Sequence, residues 1–200
     1  MPREDATETL RWALQTALGR SLKPAPSAQV AGGSIGECVR WSSDDGDLFV
    51  KLAPVERLSA LEAEAAGLAE LDAAAAIRVP ALLGTGTTTS TAWLALRWID
   101  FATPVRRSEA LLGEQLASLH RVVAPRFGWH RDNTIGATPQ RNAWDDDWAR
   151  FFVRHRLTLQ LDLAEINGAS SRLLERGRQL GEIAGALFSS YRPVPSLLHG

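Results

Sequence analysis

Two hundred residues, 45% hydrophobic and 22% charged, suit one globular domain or two small lobes with a sizeable core. A net charge of −1 gives no electrostatic case for nucleic acid or an anionic membrane as partner, and no apolar run approaches the length of a membrane span. The single cysteine, Cys38, excludes an internal disulfide framework, and the charged opening MPREDATETL lacks the apolar centre of a signal peptide; both fit a cytoplasmic setting.

In chain order, residues 4–19 have the period of an amphipathic helix, with Leu10, Ala13, Leu14, Ala17 and Leu18 on one face and Gly19 as a stop. Pro24 and Pro26 make an extended connector into a strand at Gln29-Val30. The stretch Gly32 to Lys51, GGSIGECVRWSSDDGDLFVK, reads as a glycine-rich turn, a strand, an Asp-Asp-Gly turn and a second strand ending on lysine. Val39 and Trp41, then Leu48 and Val50, alternate with polar residues, as a half-buried antiparallel pair requires. Gly32, Gly33 and Ser34 belong to a turn whose missing side chains let backbone amides approach a ligand. Lys51 ends a buried strand, where a lysine is costly unless an anion meets it. Together they form the phosphate-holding arrangement of protein-kinase-like nucleotide sites, and equally an ordinary glycine-bearing hairpin. Cys38 sits in this hairpin either as a redox-sensitive thiol or as a small buried hydrophobe, the latter being the commoner role.

After Pro54 a helix is predicted over 56–75. Its apolar stripe is Leu58, Leu61, Ala65, Leu68 and Leu71, and Glu64 sits at the inner edge while Glu62 points to solvent. An inward glutamate on the helix after the lysine strand is what an orienting lysine–glutamate pair needs. Residues 81–84 read as a strand, 84–91 as a Gly/Thr-rich turn, and 93–99 as a largely buried strand. Residues 1–99 thus form a small, nucleotide-binding lobe: a helix, a five-stranded antiparallel sheet and one inserted helix. Leu96, Arg97 and Trp98 form its hinge, where backbone amides and carbonyls would meet a purine.

Residues 100–200 read as mainly helical, and the resemblance set out below implies that they are the first part of a large lobe. Ser108 caps a helix with Leu111, Leu112, Leu116, Leu119 and Val123 as its core face, and His120 packs structurally at its end. The stretch 127–148, FGWHRDNTIGATPQRNAWDDDW, is too rich in turn formers for regular structure. Its aromatic and hydrogen-bonding side chains suit a hydroxylated small molecule, with Trp129 as a flat face for a sugar and His130, Asp132 and Asn133 beside it. A surface loop pinned by its tryptophans is the alternative. Asn142 is expected to cap the next helix, with Asp145, Asp146 and Asp147 in its first turn as dipole stabilisers rather than metal ligands, and Trp144, Trp148, Phe151 and His155 on its core face. Helices over 156–166 and 169–189 follow, joined at Asn167-Gly168.

GGSIGEC, FVKL, EAEAAGL, FGWHRDNTIGATPQ, WDDDWARFFVRHRL and the closing LLHG together resemble the fructosamine kinase, or ketosamine kinase, family, within the wider aminoglycoside and choline kinase-like fold. The resemblance implies an α+β, protein-kinase-like fold and an ATP- and Mg2+-dependent transfer to a sugar hydroxyl of a ketosamine or glycated lysine, with protein deglycation as the repair it would serve. It also implies that Lys51 contacts ATP phosphates, that Glu64 pairs with it, and that residues 96–98 form the hinge. Gly36 stands where the family usually has asparagine, which implies a more flexible turn. The family motif His-Gly-Asp-Leu-Trp-x-x-Asn is represented by His199 and Gly200. Its aspartate, which takes the acceptor proton, and the metal-binding residues beyond it are not among these residues, so the sequence is expected to be part of a longer kinase, or a truncated one. A non-catalytic nucleotide- or sugar-binding module and a kinase for another small acceptor, such as an aminoglycoside, are the competing expectations. A P-loop NTPase is excluded, because GGSIGEC lacks the following Gly-Lys-Ser/Thr.

Overall fold

The computed structural model describes residues 3–31, 36–188 and 190–199. The chain forms two compact units, Met1–Leu119 and His120–Gly200. This division falls later than the composition break after Ile99, because the helix that opens at Ser108 groups with the first unit.

The first unit starts with α1 (Arg3–Leu18), which stops at Gly19 in a left-handed conformation, φ 63°. Five strands follow: β1 (Ala28–Gln29), β2 (Glu37–Trp41), β3 (Leu48–Pro54), β4 (Leu82–Thr87) and β5 (Thr91–Arg97). They form one antiparallel sheet in the order β1-β2-β3-β5-β4, which puts β3 at its centre. Between β3 and β4 the chain makes a short 3-10 turn and α2 (Leu58–Ala73). The sheet is covered on both faces. Leu10 and Leu14 of α1 pack with Val39, Trp41, Leu48, Val50, Trp93 and Ala95. On the other face, Leu61 and Ala65 of α2 pack with Ala53, Ala92, Leu94 and Leu96. Neighbouring residues of β5 therefore enter opposite cores, which is why this strand is an unbroken apolar run rather than an alternating one. The α+β architecture, with five antiparallel strands and an inserted helix, matches the expectation.

Two local expectations fail in this unit. The turn expected at 84–91 is strand through Thr87, and its glycines serve packing rather than turning. A Cβ on Gly86 would lie 2.4 Å from Cζ2 of Trp93, so only glycine leaves room for the buried indole. In α3 (Ser108–Leu119), Leu119 is buried, but Leu111 and Leu112 of the expected core face are 53% and 48% exposed.

The second unit holds the hairpin β6 (Asn133–Ile135) and β7 (Thr138–Gln140), which turns at Gly136 with φ 58°. Regular pairing thus sits inside the stretch expected to be irregular. Next come α4 (Trp148–Phe152), a π-helical turn over 153–157, α5 (Thr158–Ile166) and α6 (Ser171–Leu187). Ser170 caps α6 by accepting from the Leu173 amide. Gly177 lets α6 approach α5 closely, since a Cβ there would be 2.3 Å from Leu161 Cδ2. The cap of α4 is Asp147, which accepts from the Arg150 amide, and not Asn142. Helix therefore begins only at Trp148, so helical spacing does not carry back to Trp144, which is 40% exposed and outside the expected core face. Phe127 takes its place beside Trp148 and Phe151, with His155 against Phe151.

Candidate functional site

On β3 the alternation of the strand places Lys51 between Phe49 and Ala53, on the face that α2 covers. On α2, Glu64 follows buried Leu61 by three positions and precedes buried Ala65 by one, so it stands at the edge of the buried stripe. These two placements meet: Lys51 Nζ lies 2.7 Å from Glu64 Oε2. The side chains keep 21% and 38% of their exposure, so the pair is fixed in direction but not sealed from solvent. An ammonium has three donors, and a single carboxylate oxygen engages one of them.

Cys38 is the register partner of Lys51 across β2 and β3 and is 4% exposed. Burial pushes its thiol above the ordinary range; the charge of Lys51 works against that shift, and Glu64 and Glu37 reinforce it. Burial and the raised pKa both agree with the buried-hydrophobe reading of Cys38.

Gly32, Gly33 and Ser34 lie outside the described residues, as does Gly200. Gly36, at the end of the glycine-rich turn, has φ 97°, and a Cβ there would stand 2.1 Å from the Leu52 carbonyl oxygen. Its role is therefore close backbone approach to β3, not the added flexibility expected from replacing asparagine.

At the expected hinge, Leu96 is buried in the core under α2. The Arg97 amide donates to the Ala81 carbonyl at 2.9 Å, and the Trp98 amide donates to the Asp47 carbonyl at 3.0 Å. These two amides are engaged within the protein. The Trp98 indole donates to Asp100 Oδ1 at 2.8 Å and carries the Arg40 guanidinium 4.5 Å above its ring.

In the second unit, Trp129, His130, Asp132 and Asn133 share one loop, and Trp129 meets His130 edge-on at 4.7 Å between ring centroids. The centre of this loop is a residue assigned only a capping role on sequence grounds. Asn142 is 3% exposed. Its carbonyl accepts from the Trp129 amide at 2.8 Å, and its own amide donates to Asp132 Oδ1 at 2.8 Å. Its Nδ2 donates to the Arg131 carbonyl at 3.1 Å and to Asn133 Oδ1 at 2.9 Å. Gln140 Nε2 donates to the same Asn133 oxygen at 3.0 Å, across the hairpin. Arg156 completes the arrangement by donating to Asn142 Oδ1 at 2.8 Å and to the Arg141 carbonyl at 2.6 Å, with Phe151 4.8 Å beneath its guanidinium. Burial holds the Arg156 pKa below the usual arginine value, with the charge of Asp132 opposing the shift. One oxygen each of Asp132 and Asn133 is thus committed to holding the loop together.

The signal for Asn142 was an asparagine in a turn-rich stretch, where its side chain can replace missing backbone pairing. Arg156 gave no signal. It is five residues from Phe151, so an α-helical reading separates them, whereas the π-helical turn brings both to one side.

Asp145 is 4% exposed and accepts from Arg150 Nε at 2.8 Å and from the Asp147 amide at 2.9 Å. The hydrogen bond from Arg150 is the main reason its carboxyl titrates below the usual range. Asp146 pairs with Arg126 at 2.7 Å, and Asp147 caps α4. None of the three acids lies in the helix's first turn, where dipole stabilisers were expected; the helix begins after them, and each makes a separate contact instead. Among the described residues no group of three or more His, Cys, Asp or Glu is placed to hold a metal ion. His199, the described residue of the His-Gly motif, lies with Nδ1 3.2 Å from His120 Nε2.

A five-stranded antiparallel sheet, a helix inserted after its third strand, and a lysine of that strand paired with a glutamate of that helix define a protein-kinase-like small lobe. The family model for fructosamine kinase matches residues 6–200, and the chain belongs to that family. It is 32% identical over 198 residues to a "Probable ketoamine kinase" of Synechocystis, covering 96% of this chain and 65% of that protein. It is 34% identical over 185 residues to a chloroplastic protein-ribulosamine 3-kinase of Arabidopsis thaliana, covering 91% and 56%. A crystal structure from Haemophilus somnus described as "Putative fructosamine-3-kinase" superposes with a TM-score of 0.80 at 25% identity, over 96% of this chain and 64% of that one. The chain therefore spans less than two thirds of the length of these proteins.

Proposed function

We propose that this chain is the nucleotide-binding and acceptor-loop part of an ATP-dependent kinase that phosphorylates a sugar hydroxyl of ketosamines, such as glycated amines or glycated lysine. The observation that carries the reading is the Lys51–Glu64 pair, a cation held in direction at the edge of a sheet yet open to a ligand. Its donors suit phosphate oxygens, and Gly36 stands close against the Leu52 carbonyl of β3, one residue before the strand that pairs with Lys51. Bound ATP would supply the transferable phosphoryl group; Lys51 would bind its phosphates and Glu64 would keep the ammonium pointed at them. The metal expected of such kinases is Mg2+, and among the described residues no group of three or more His, Cys, Asp or Glu is placed to hold it.

The acceptor proposal rests on the names of the relatives, which include ketoamine and protein-ribulosamine kinases. In the loop, Trp129 and His130 would offer ring faces and Asp132 its second carboxylate oxygen, while Asn133 acts through the oxygen that frames the hairpin. Domain roles follow the same proposal, with residues 1–99 for the nucleotide and 100–200 for the acceptor. No described helix is long and apolar enough to cross a membrane, and the proposed setting is the cytoplasm.

The test is an ATP titration followed by thermal shift and calorimetry, with and without Mg2+, on the chain and on Lys51→Ala. The expected result is ATP binding that weakens at least about tenfold in Lys51→Ala while the circular dichroism spectrum is unchanged. Equal affinity in both proteins removes Lys51 from the site. Stabilisation by ATP without transfer to fructosyl-lysine makes this chain a binding module. Transfer to an aminoglycoside and not to fructosyl-lysine overturns the acceptor assignment.

A further inference from the structure

Leu119 ends α3, and the residue after it, His120, meets a residue 79 positions further along the chain. The His120 and His199 rings lie 5.3 Å apart with 25° between their planes. His120 Nε2 is 3.2 Å from His199 Nδ1. This contact closes the end of a short antiparallel patch. The Leu197 amide donates to the Val122 carbonyl at 2.8 Å, and the Ala124 amide donates to the Pro195 carbonyl at 3.0 Å. Val123 faces Ser196 across the patch. Extending that antiparallel register from Val123 back to His120 arrives opposite His199, so the backbone pairing and the ring contact are one arrangement.

Two hydrogen-bonded imidazoles need opposite roles, one N–H and one bare nitrogen, because two donors facing each other make no bond. We propose that His120 is a positioning residue for His199: its Nε2–H donates to His199 Nδ1 and holds that ring in the Nε2–H tautomer where the chain enters the His-Gly motif. In this assignment both neutral rings carry the proton on Nε2, and the hydrogen bond made by one nitrogen of His199 decides the state of the other. The ring plane of His199 is then set by this one contact, in which the two rings lie 25° from parallel. The backbone leading into Gly200 inherits that orientation through the 122–124/195–197 pairing. What the motif does downstream rests on the kinase reading above; the histidine contact does not.

The test is long-range proton–nitrogen NMR of the imidazoles in the chain, with amide exchange at Leu197. Wild type is expected to show His199 as the Nε2–H tautomer with a bare, hydrogen-bonded Nδ1. His120→Ala should average the His199 tautomers and speed exchange at Leu197 about tenfold, the loss of about one net hydrogen bond or slightly more. His120→Gln, which keeps a donor near the Nε2 position, should restore the tautomer and bring exchange to within about twofold of wild type. A wild-type His199 protonated on Nδ1 overturns the proposal, and this arm needs no variant to fold. A His120→Ala protein with unchanged tautomer and exchange overturns it as well, as does failure of His120→Gln to restore either. ATP titration separates this outcome from the function: a wild-type chain with the expected His199 signature and no ATP binding loses the nucleotide reading and keeps this one.

Discussion

The polar centre of the first unit and that of the second are built in opposite ways. Lys51 and Glu64 project from a strand and a helix whose backbones are already paired, so the ion pair is free of scaffold duty and half open to solvent. Asn142 itself lies outside strand and helix, and its side chain ties together the Arg131 carbonyl, Asn133 of β6 and Arg156 of the π-helical turn. Regular structure can therefore present charge to a ligand at little expense to the fold. An irregular loop must first satisfy itself, and only what is left over can bind.

The sharpest way to break this contrast is to remove the loop centre. Asn142→Ala deletes two donated bonds and one accepted bond, and it leaves the half-buried Arg156 without an acceptor it now uses. The expected loss is about 3 kcal/mol of unfolding free energy by urea denaturation, with near-ultraviolet circular dichroism reporting the second unit's tryptophans. A loss below about 1 kcal/mol would mean that the loop is held unaided by the hairpin and by the Phe127–Asp145 bridge, in which each amide donates to the other's carbonyl at 2.9 Å. In the first unit the comparable lesion is a packing one. Gly86→Ala places a methyl 2.4 Å from a rigid, buried indole, and the expected cost is about 2 kcal/mol with quenching or shift of Trp93 fluorescence. Equal stability would show that β4, an edge strand, moves away without penalty.

These lesions also mark what was legible. The five-stranded sheet, the inserted helix and the Lys51–Glu64 partnership were readable because strand alternation and helical period each place a side chain without knowledge of its partner. The glycines of β4 were misread as turn, since the reason for Gly86 is an indole on another strand. The outward Leu111 and Leu112 of α3 show the same limit: periodicity finds a stripe but not whether anything covers it. In the second unit, Trp144 was assigned to a core face by a helix that starts four residues later, and Arg156 was hidden by a π-helical turn that no 3.6 period describes. The loop residues stand out by type, but the hydrogen bonds of Asp132 and Asn133 to Asn142 follow from side-chain geometry that composition does not carry.

A smaller effect separates the two units by pH. Asp145 titrates below its ordinary value in the folded protein because of Arg150, so its stabilisation is present above the unfolded carboxyl pKa of about 3.9 and fades as pH falls through the lower folded value. Asp145→Asn should therefore lower the melting temperature at pH 7, and the gap to wild type should close below about pH 4. A gap that persists at pH 2 would assign the loss to packing or to the Asp147 amide rather than to charge.

The smallest expected change in stability is at the Lys51–Glu64 pair. With 21% and 38% of its side-chain surface exposed, the Lys51–Glu64 bridge is screened by solvent, and pairs of this kind contribute about 0–1 kcal/mol. Glu64→Gln keeps the length and shape of the side chain and can still accept a hydrogen bond from Lys51, but it removes the charge that fixes the ammonium. Melting should stay within about 2 °C of wild type, in proportion to so small a free energy. ATP affinity should nonetheless fall by about three- to tenfold, because the lysine loses its preferred direction rather than its charge. A protein destabilised as much as Asn142→Ala, with ATP affinity unchanged, would place the pair with the scaffold and erase the distinction between the two units. A stable protein with weakened ATP binding would fix Lys51–Glu64 as polar structure held in readiness for a ligand.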